Sequence, residues 1–288
     1  MRLRSKAIVG VLRGGIGNQL LQLAAYHTIS RLSGRPVKLD LSSYQTMGQQ
    51  SLGRSFETEY FVDKLENLEV INSNAHVAAN LFLQILRSSG DIFPSLMQTM
   101  GFLTSNIRDL SNLSTKRYSS ARYLDSYFTG IGHNQLFQES ISEIVRTIQS
   151  HPSENWKPGK AAIHVRLGDY LQINPNLVPS PARYRLALER LGLSKLDSVT
   201  LFSDDPARAM NHLSPLNINI PIEVAPKYND SLTLLTGLAS HSVIVGSSST
   251  LTWWAGLASE FSGGKVAFPD PKLSGIPHLF VPNTWQLF

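Results

Sequence analysis

Lys160-Ala-Ala-Ile-His164-Val-Arg166-Leu-Gly168-Asp169-Tyr170 is the stretch from which the fold can be read. Ala161 to Val165 is a short apolar run, of the kind a parallel sheet buries on both faces. Gly168 ends the strand, so Asp169 and Tyr170 are expected to open a loop. The segment thus delivers a histidine, an arginine and an aspartate to the carboxyl end of a strand, where ligands sit in open α/β sheets. An arginine there suits a phosphate, because its planar fork matches two anionic oxygens at once. The same residues also fit a plainer reading, in which Arg166 and Asp169 form an ion pair that merely closes a strand end.

Working outward, strands alternate with helices downstream. Ser180-Pro181 opens a helix, with serine at the N-cap and proline at the first helical position, and Gly192 closes it. A strand over 198–203 leads to a helix opened by Asp205-Pro206. A strand at 221–225, helix 230–240, strand 243–245, helix 250–261 and strand 265–268 complete the series. Upstream, residues 7–41 read as a βαβ unit. A strand over Ala7–Leu12 passes through the turn Arg13–Gly17 into a helix over Asn18–Ser33, which Gly34 ends; Pro36–Leu41 is the second strand. Arg122–Phe128 is a further strand and Asn134–Gln149 a further helix. Residues 42–120 are rich in Ser, Asn and Gln, with a helix expected at 75–88 and an apolar segment at 92–103. His151-Pro-Ser-Glu-Asn-Trp-Lys-Pro-Gly159 is the best linker, having two prolines and a glycine. Regular alternation of this kind predicts a parallel sheet covered on both sides, an α/β chain.

Composition narrows the partners. Among 288 residues, 26 Lys+Arg against 21 Asp+Glu give a net charge of only +5, with a pI near 9.4. That mild excess suits an anionic small ligand or loose, peripheral attachment to an anionic membrane. No dense Lys/Arg run carries interleaved aromatics, which argues against nucleic acid. Cysteine is absent, which excludes disulfides and thiolate chemistry. The apolar run Ala7–Leu12 is too short for a signal-peptide core or a membrane span, and no run of 18 apolar residues occurs elsewhere. A cytoplasmic location is the expectation.

Two further turns have anion-binding composition. Gly14-Gly15-Ile16-Gly17-Asn18-Gln19 joins the first strand to the first helix, where glycines let backbone N–H groups approach an anion. Asp40 supports a dinucleotide fingerprint, but Leu20 stands where that pattern needs a glycine; a tight turn without a ligand is the other reading. Val245-Gly246-Ser247-Ser248-Ser249-Thr250-Leu251-Thr252-Trp253-Trp254 ends a strand in small hydroxyl residues and enters a helix. Its free N–H groups and hydroxyls suit phosphate oxygens. Ordinary capping needs one serine, whereas Ser247 to Thr250 are four consecutive hydroxyl residues; Trp253 and Trp254 are assigned to packing. There is no Asp-x-Asp, no His-x-His or His-Glu-x-x-His spacing, no Gly-x-Ser-x-Gly elbow and no P-loop. Asp204-Asp205 reads most simply as a helix start.

In this order the segments resemble the bacterial α-1,2-fucosyltransferases of glycosyltransferase family 11. The matching stretches are Gly14–Gln19, Tyr123-Leu-Asp-Ser-Tyr-Phe128, His164–Tyr170, Phe202-Ser-Asp-Asp205 and Ser249-Thr-Leu-Thr-Trp-Trp254. The resemblance implies a GT-B-type architecture of two Rossmann-like halves facing a cleft. Residues 1–155 would form the acceptor side and 156–288 the GDP-sugar side. It also implies metal-independent, inverting transfer from GDP-β-L-fucose to a glycan or lipid-linked oligosaccharide in surface-polysaccharide assembly. By the same resemblance Arg166 would contact the β-phosphate, and His164 would lie near the ribose or guanine. Ser248, Ser249 and Thr250 would contact phosphate or fucose. Asp230 would accept from guanine, although plain N-capping explains it as well. Gly15, Gly17 and Asn18 would reach the donor from the first half. Asp169 and Asp125 are the candidate bases, with bracing of the loop the other role open to Asp169. The family commonly has a second arginine where this chain has Leu167, which keeps open another GDP-sugar as donor; a non-catalytic nucleotide- or glycan-binding protein is the more distant reading.

Overall fold

The computed structural model describes residues 7–46, 55–71, 102–104, 120–151, 155–173, 175–272 and 279–288. The chain divides into two compact units, Met1–Ile144 and Val145–Phe288. The division falls upstream of the linker expected at 151–159, inside a helix.

In the first unit β1 (Ile8–Val11) is central. It pairs in parallel with β2 (Val37–Asp40) on one side and β5 (Tyr123–Asp125) on the other; β3 (Leu68–Val70) and β4 (Phe102–Thr104) lie outermost. The crossover from β1 to β2 is α1 (Ile16–Ser33), buried almost continuously from Ile16 to Ser30. Its polar residues are correspondingly paired. Tyr26 donates to the Val11 carbonyl at 2.6 Å, and the Thr28 hydroxyl donates to the Ala24 carbonyl at 2.9 Å, as buried polar groups must. Gly34 ends the helix in the left-handed region, φ 65°, with its N–H on Ser30. Short helices α2 (Ser42–Thr46) and α3 (Glu59–Val62) follow β2, and α4 (Gln138–Ser150) follows β5. The helix expected at 75–88 and most of the apolar segment 92–103 lie outside the described residues; the end of that segment enters β4.

The second unit begins its sheet with β6 (Lys157–Val165). Then come α5 (Gly168–Ile173), α6 (Pro181–Leu191), β7 (Ser198–Ser203), α7 (Pro206–Leu213) and β8 (Ile222–Val224). The chain continues through α8 (Ser231–Ala239), β9 (His241–Val245), α9 (Thr250–Phe261), β10 (Lys265–Phe268) and β11 (Gln286–Leu287). All pairings are parallel, in the order β11-β10-β9-β6-β7-β8. This is the doubly wound Rossmann order. Both units are thus parallel α/β layers, the two Rossmann-like halves expected of a GT-B-type chain. Among the described residues no helix is long and apolar enough to cross a membrane.

Strand alternation on β6 sorts its side chains. Ala161, Ile163, Val165 and Leu167 enter one core with Tyr184, Leu188, Leu201 and Leu213, while His164 and Arg166 take the other parity. Leu167 is 2% exposed. Its burial contributes about 2 kcal/mol, and an arginine there would carry its charge into the core. One local expectation is corrected and one is refined. Asp169 and Tyr170 do not open a loop; they lie in α5, which begins at Gly168, where the Asp204 carboxylate accepts the N–H groups of Leu167 and Gly168, each at 2.9 Å. Ser180 stands at the N-cap of α6 without a side-chain capping bond, whereas Asp205 does cap α7, accepting from the Arg208 N–H at 3.1 Å.

Candidate functional site

The chain leaves β6 toward β7 on one side and returns to β9 on the other, so the carboxyl ends of β6 and β9 flank a switch point. Arg166 stands there, immediately after β6. Its Nε donates to Asp169 Oδ1 at 2.9 Å and its Nη2 to Oδ2 at 2.7 Å. The guanidinium carbon also lies 4.7 Å from the centre of the Tyr170 ring, within cation–π range. The single turn of α5 makes this possible, since it brings residues i+3 and i+4 back over Arg166. Burial alone would lower the arginine pKa. Asp169, with Tyr170 and Asp204, more than offsets it, so the net shift is upward and the side chain stays charged. The clamp occupies one edge of the fork, and Nη1 has no hydrogen-bond acceptor among the described residues.

The turn that carries Arg166 is fixed from below. A Cβ on Gly168 would lie 2.6 Å from Asp204 Oδ2. Glycine is required there by close approach to the carboxylate that satisfies the two backbone donors. Tyr170 reaches further and donates its hydroxyl to the Ser248 carbonyl. This ties the β6 end to the hydroxyl turn after β9.

Beneath these groups His164 is 6% exposed. Its Nδ1 faces Ser247 Oγ at 2.8 Å and also the Thr252 hydroxyl. Burial, then the neighbouring Arg166, pushes its pKa down to about 4, against a small upward pull from Asp204. The imidazole is therefore neutral near pH 7 and acts as a strut between β6 and the β9–α9 turn. Ser248 is fully buried, and its Oγ has no hydrogen-bond partner among the described residues. Ser249 caps α9, accepting from the Leu251 N–H at 3.3 Å; Thr250 is its first residue and half-buried. Trp253 and Trp254 are core, 1% and 0% exposed.

The structure thus gathers His164, Arg166, Asp169, Ser248, Ser249 and Thr250 at the ends of β6 and β9. Asp230 opens the helix that follows β8. It is exposed and caps α8, accepting from the Thr233 N–H at 2.7 Å and the Thr233 hydroxyl at 2.8 Å. Those bonds, led by the N–H, hold its carboxyl below the usual range. N-capping is the reading this geometry supports. Tyr170 and Thr252 have no role in the sequence reading, Ser247 is read there only as one of the hydroxyls of the turn, and Asp204 only as part of a helix start. Their signal lay inside the quoted motifs, as polar residues within buried runs.

Gly15, Gly17 and Asn18 belong to the first unit. Gly14 is left-handed, φ 83°, and a Cβ there would meet Asn18 Nδ2 at 2.8 Å. Gly15 occupies the N-cap of α1 without a side-chain cap bond, and Asn18 is half-buried. Gln19 is fully buried and organises the loop rather than a ligand. It donates to the Gly14 carbonyl at 3.0 Å and the Ser55 carbonyl at 2.8 Å, and accepts from the Glu57 N–H at 3.0 Å and the Thr58 hydroxyl at 3.2 Å. Arg13, at the end of β1, ion-pairs through Nε with Asp125 Oδ1 at 3.2 Å and lies 4.4 Å over Tyr127. Among the described residues no group of three or more His, Cys, Asp or Glu is placed to hold a metal ion.

No protein-family model matches the sequence, nor does any curated protein sequence. Among solved structures, the chain is similar to the NodZ α-1,6-fucosyltransferase soaked with GDP-fucose, at 14% identity and a TM-score of 0.43 over 88% of this chain and 92% of that one. It is also similar to POFUT1 in complex with GDP, at 13% identity and 0.47 over 91% and 98%. E. coli ADP-heptose lipopolysaccharide heptosyltransferase II is similar at 11% and 0.48 over 98% and 90%. At these identities and scores the likeness assigns no substrate and no residue role.

Proposed function

We propose that the chain is an inverting glycosyltransferase that moves L-fucose from GDP-β-L-fucose to a hydroxyl of a glycan, with an α-1,2 linkage to a galactose-type sugar. The observation that carries this reading is Arg166, a charged, half-buried guanidinium clamped at the switch point beside a turn of serines. The sequence resemblance supplies the sugar and the linkage.

In this reading the bond between fucose C1 and the diphosphate oxygen breaks, and the electron pair leaves with GDP. The acceptor oxygen bonds to C1 from the opposite face and gives its proton to water. Charge therefore grows on the leaving diphosphate, and the Nη1 side of Arg166 supplies donors fixed before the reaction begins. The buried Ser248 Oγ offers one more hydrogen-bonding group at the same turn. Asp169 has both oxygens on Arg166. It acts as a positioning residue, and the acceptor hydroxyl attacks with weak assistance. Arg166 and its neighbours would do the charge stabilisation that a divalent metal does in other transferases. Leu167 faces the core, so its departure from the double arginine removes no group from the diphosphate side. Assembly of a surface polysaccharide in the cytoplasm, with loose attachment to the inner membrane, is the setting that the resemblance and the positive charge favour.

The test is a donor panel read by nucleotide release, followed by NMR of the product linkage. GDP release from GDP-fucose with an α-1,2-fucosylated product is expected. Turnover of a different nucleotide sugar, with none from GDP-fucose, would overturn the reading.

A further inference from the structure

We infer that the first unit carries a second oxyanion site, centred on Arg13, that receives a phosphate or carboxylate group of the acceptor. The inference rests on the transferase reading for the word acceptor, but not for the site itself.

Arg13 stands at the carboxyl end of β1, where the sheet turns toward β2 on one side and β5 on the other, the ligand position of an open α/β sheet. Three contacts hold it. Its N–H donates to Gln22 Oε1 at 3.0 Å, and Gln22, fully buried, donates in turn to the Ser126 carbonyl at 3.2 Å. Its Nε lies 3.2 Å from Asp125 Oδ1, and its guanidinium carbon lies 4.4 Å over the Tyr127 ring. The loop behind it is fixed as well. Ser43 donates to the Leu12 carbonyl, and Tyr44 donates to the Gly14 carbonyl at 3.1 Å.

What distinguishes Arg13 is the unused part of its fork. Arg166 gives two nitrogens to Asp169. Arg13 meets Asp125 at ion-pair distance through Nε, which makes no hydrogen bond of its own among the described residues, and neither Nη1 nor Nη2 has a hydrogen-bond acceptor among them. The Arg13 side chain is 26% exposed and Asp125 only 4%, so the carboxylate orients the guanidinium from inside while the Nη pair keeps access to solvent. A paired set of donors, charged and held in one orientation, matches two oxygens of one oxyanion.

The experiment is calorimetric titration of the full chain with inorganic pyrophosphate and with D-glucuronate, each in the absence and presence of saturating GDP. At least one probe is expected to bind GDP-saturated protein. Binding of pyrophosphate identifies a phosphate-bearing acceptor and binding of glucuronate an acidic sugar. Arg13→Gln is expected to weaken that binding at least about tenfold and to leave GDP affinity unchanged. Arg13→Lys, which keeps the charge without the fork, is expected to fall between the two. No binding of either probe, equal binding by Arg13→Gln and wild type, or loss of GDP affinity in Arg13→Gln would each overturn the inference. A chain that binds a probe through Arg13 but never binds GDP would refute the transferase reading and leave this site standing.

Discussion

Both units end their central strand in an arginine that is paired with an aspartate and stacked on a tyrosine, yet the two are built differently. Arg166 takes its aspartate from three residues on, through one turn of helix, and binds it with two nitrogens. Arg13 takes its aspartate from a neighbouring strand, β5, and meets it with one. Beneath Arg166 lies a titratable strut of His164, Ser247 and Thr252; beneath Arg13 lies the neutral amide of Gln22. The difference teaches that one strand-end position, filled by one residue type, yields either a clamped charge with one nitrogen to offer or an oriented fork with two.

The largest expected effect separates the two arginines by turnover. Arg166→Ala should lose at least about 10²-fold in rate, as removal of one oxyanion donor does. Arg13→Ala should chiefly raise KM for an acidic acceptor. Equal losses in kcat would erase the distinction.

The next concerns the strut. His164 is held neutral in the folded state with a pKa of about 4, against 6.5 when unfolded. Between those values the unfolded chain binds a proton that the folded chain does not, so stability rises with pH. The contribution is fully present above pH 6.5 and is lost as pH falls toward 4, up to about 3 kcal/mol. Denaturant melts at pH 7 and pH 4.5 should show it, and His164→Gln should flatten the slope; an unchanged slope would show that His164 is not the titrating group.

Smaller still is the effect on the clamps. Asp169→Asn leaves one accepting oxygen where the carboxylate had two, and should cost about 1.5 kcal/mol of donor-site function, roughly tenfold in kcat/KM. Asp125→Asn should cost less in donor turnover, because the arginine that Asp125 pairs with is Arg13 and not Arg166. The reverse ranking would exchange the roles assigned to the two arginines. Finally, EDTA should leave the rate unchanged, since arginine rather than a metal is assigned the leaving-group charge; dependence on added Mg²⁺ or Mn²⁺ would refute that assignment.

Much of the second unit was legible because its signals are local. The strand at 198–203, the helix at 250–261 and the strand at 265–268 lie where hydrophobic runs and capping residues placed them. The ends of β6 and β9 were legible for the same reason, as an apolar run closed by Gly168 and another closed by Gly246. What was not legible is long-range. The Asp204 carboxylate turns the residues after β6 into helix α5 by accepting two N–H groups from 36 and 37 residues away. No window around Gly168 contains that information. The same holds for Arg13, whose partner Asp125 lies on another strand, and for Gln19, whose four bonds reach 5 to 39 residues along the chain. Asp230 shows the opposite case. Its capping bonds reach only three residues on, and its expected contact with guanine rests on the resemblance.

The central claim is that Arg166 holds the diphosphate of the donor, and the most direct measurement is GDP affinity by calorimetry in wild type, Arg166→Ala and Arg13→Gln. Loss of one charge-assisted contact to phosphate should weaken GDP binding by Arg166→Ala at least about tenfold, with Arg13→Gln unchanged from wild type. Equal GDP affinity in wild type and Arg166→Ala would contradict the account.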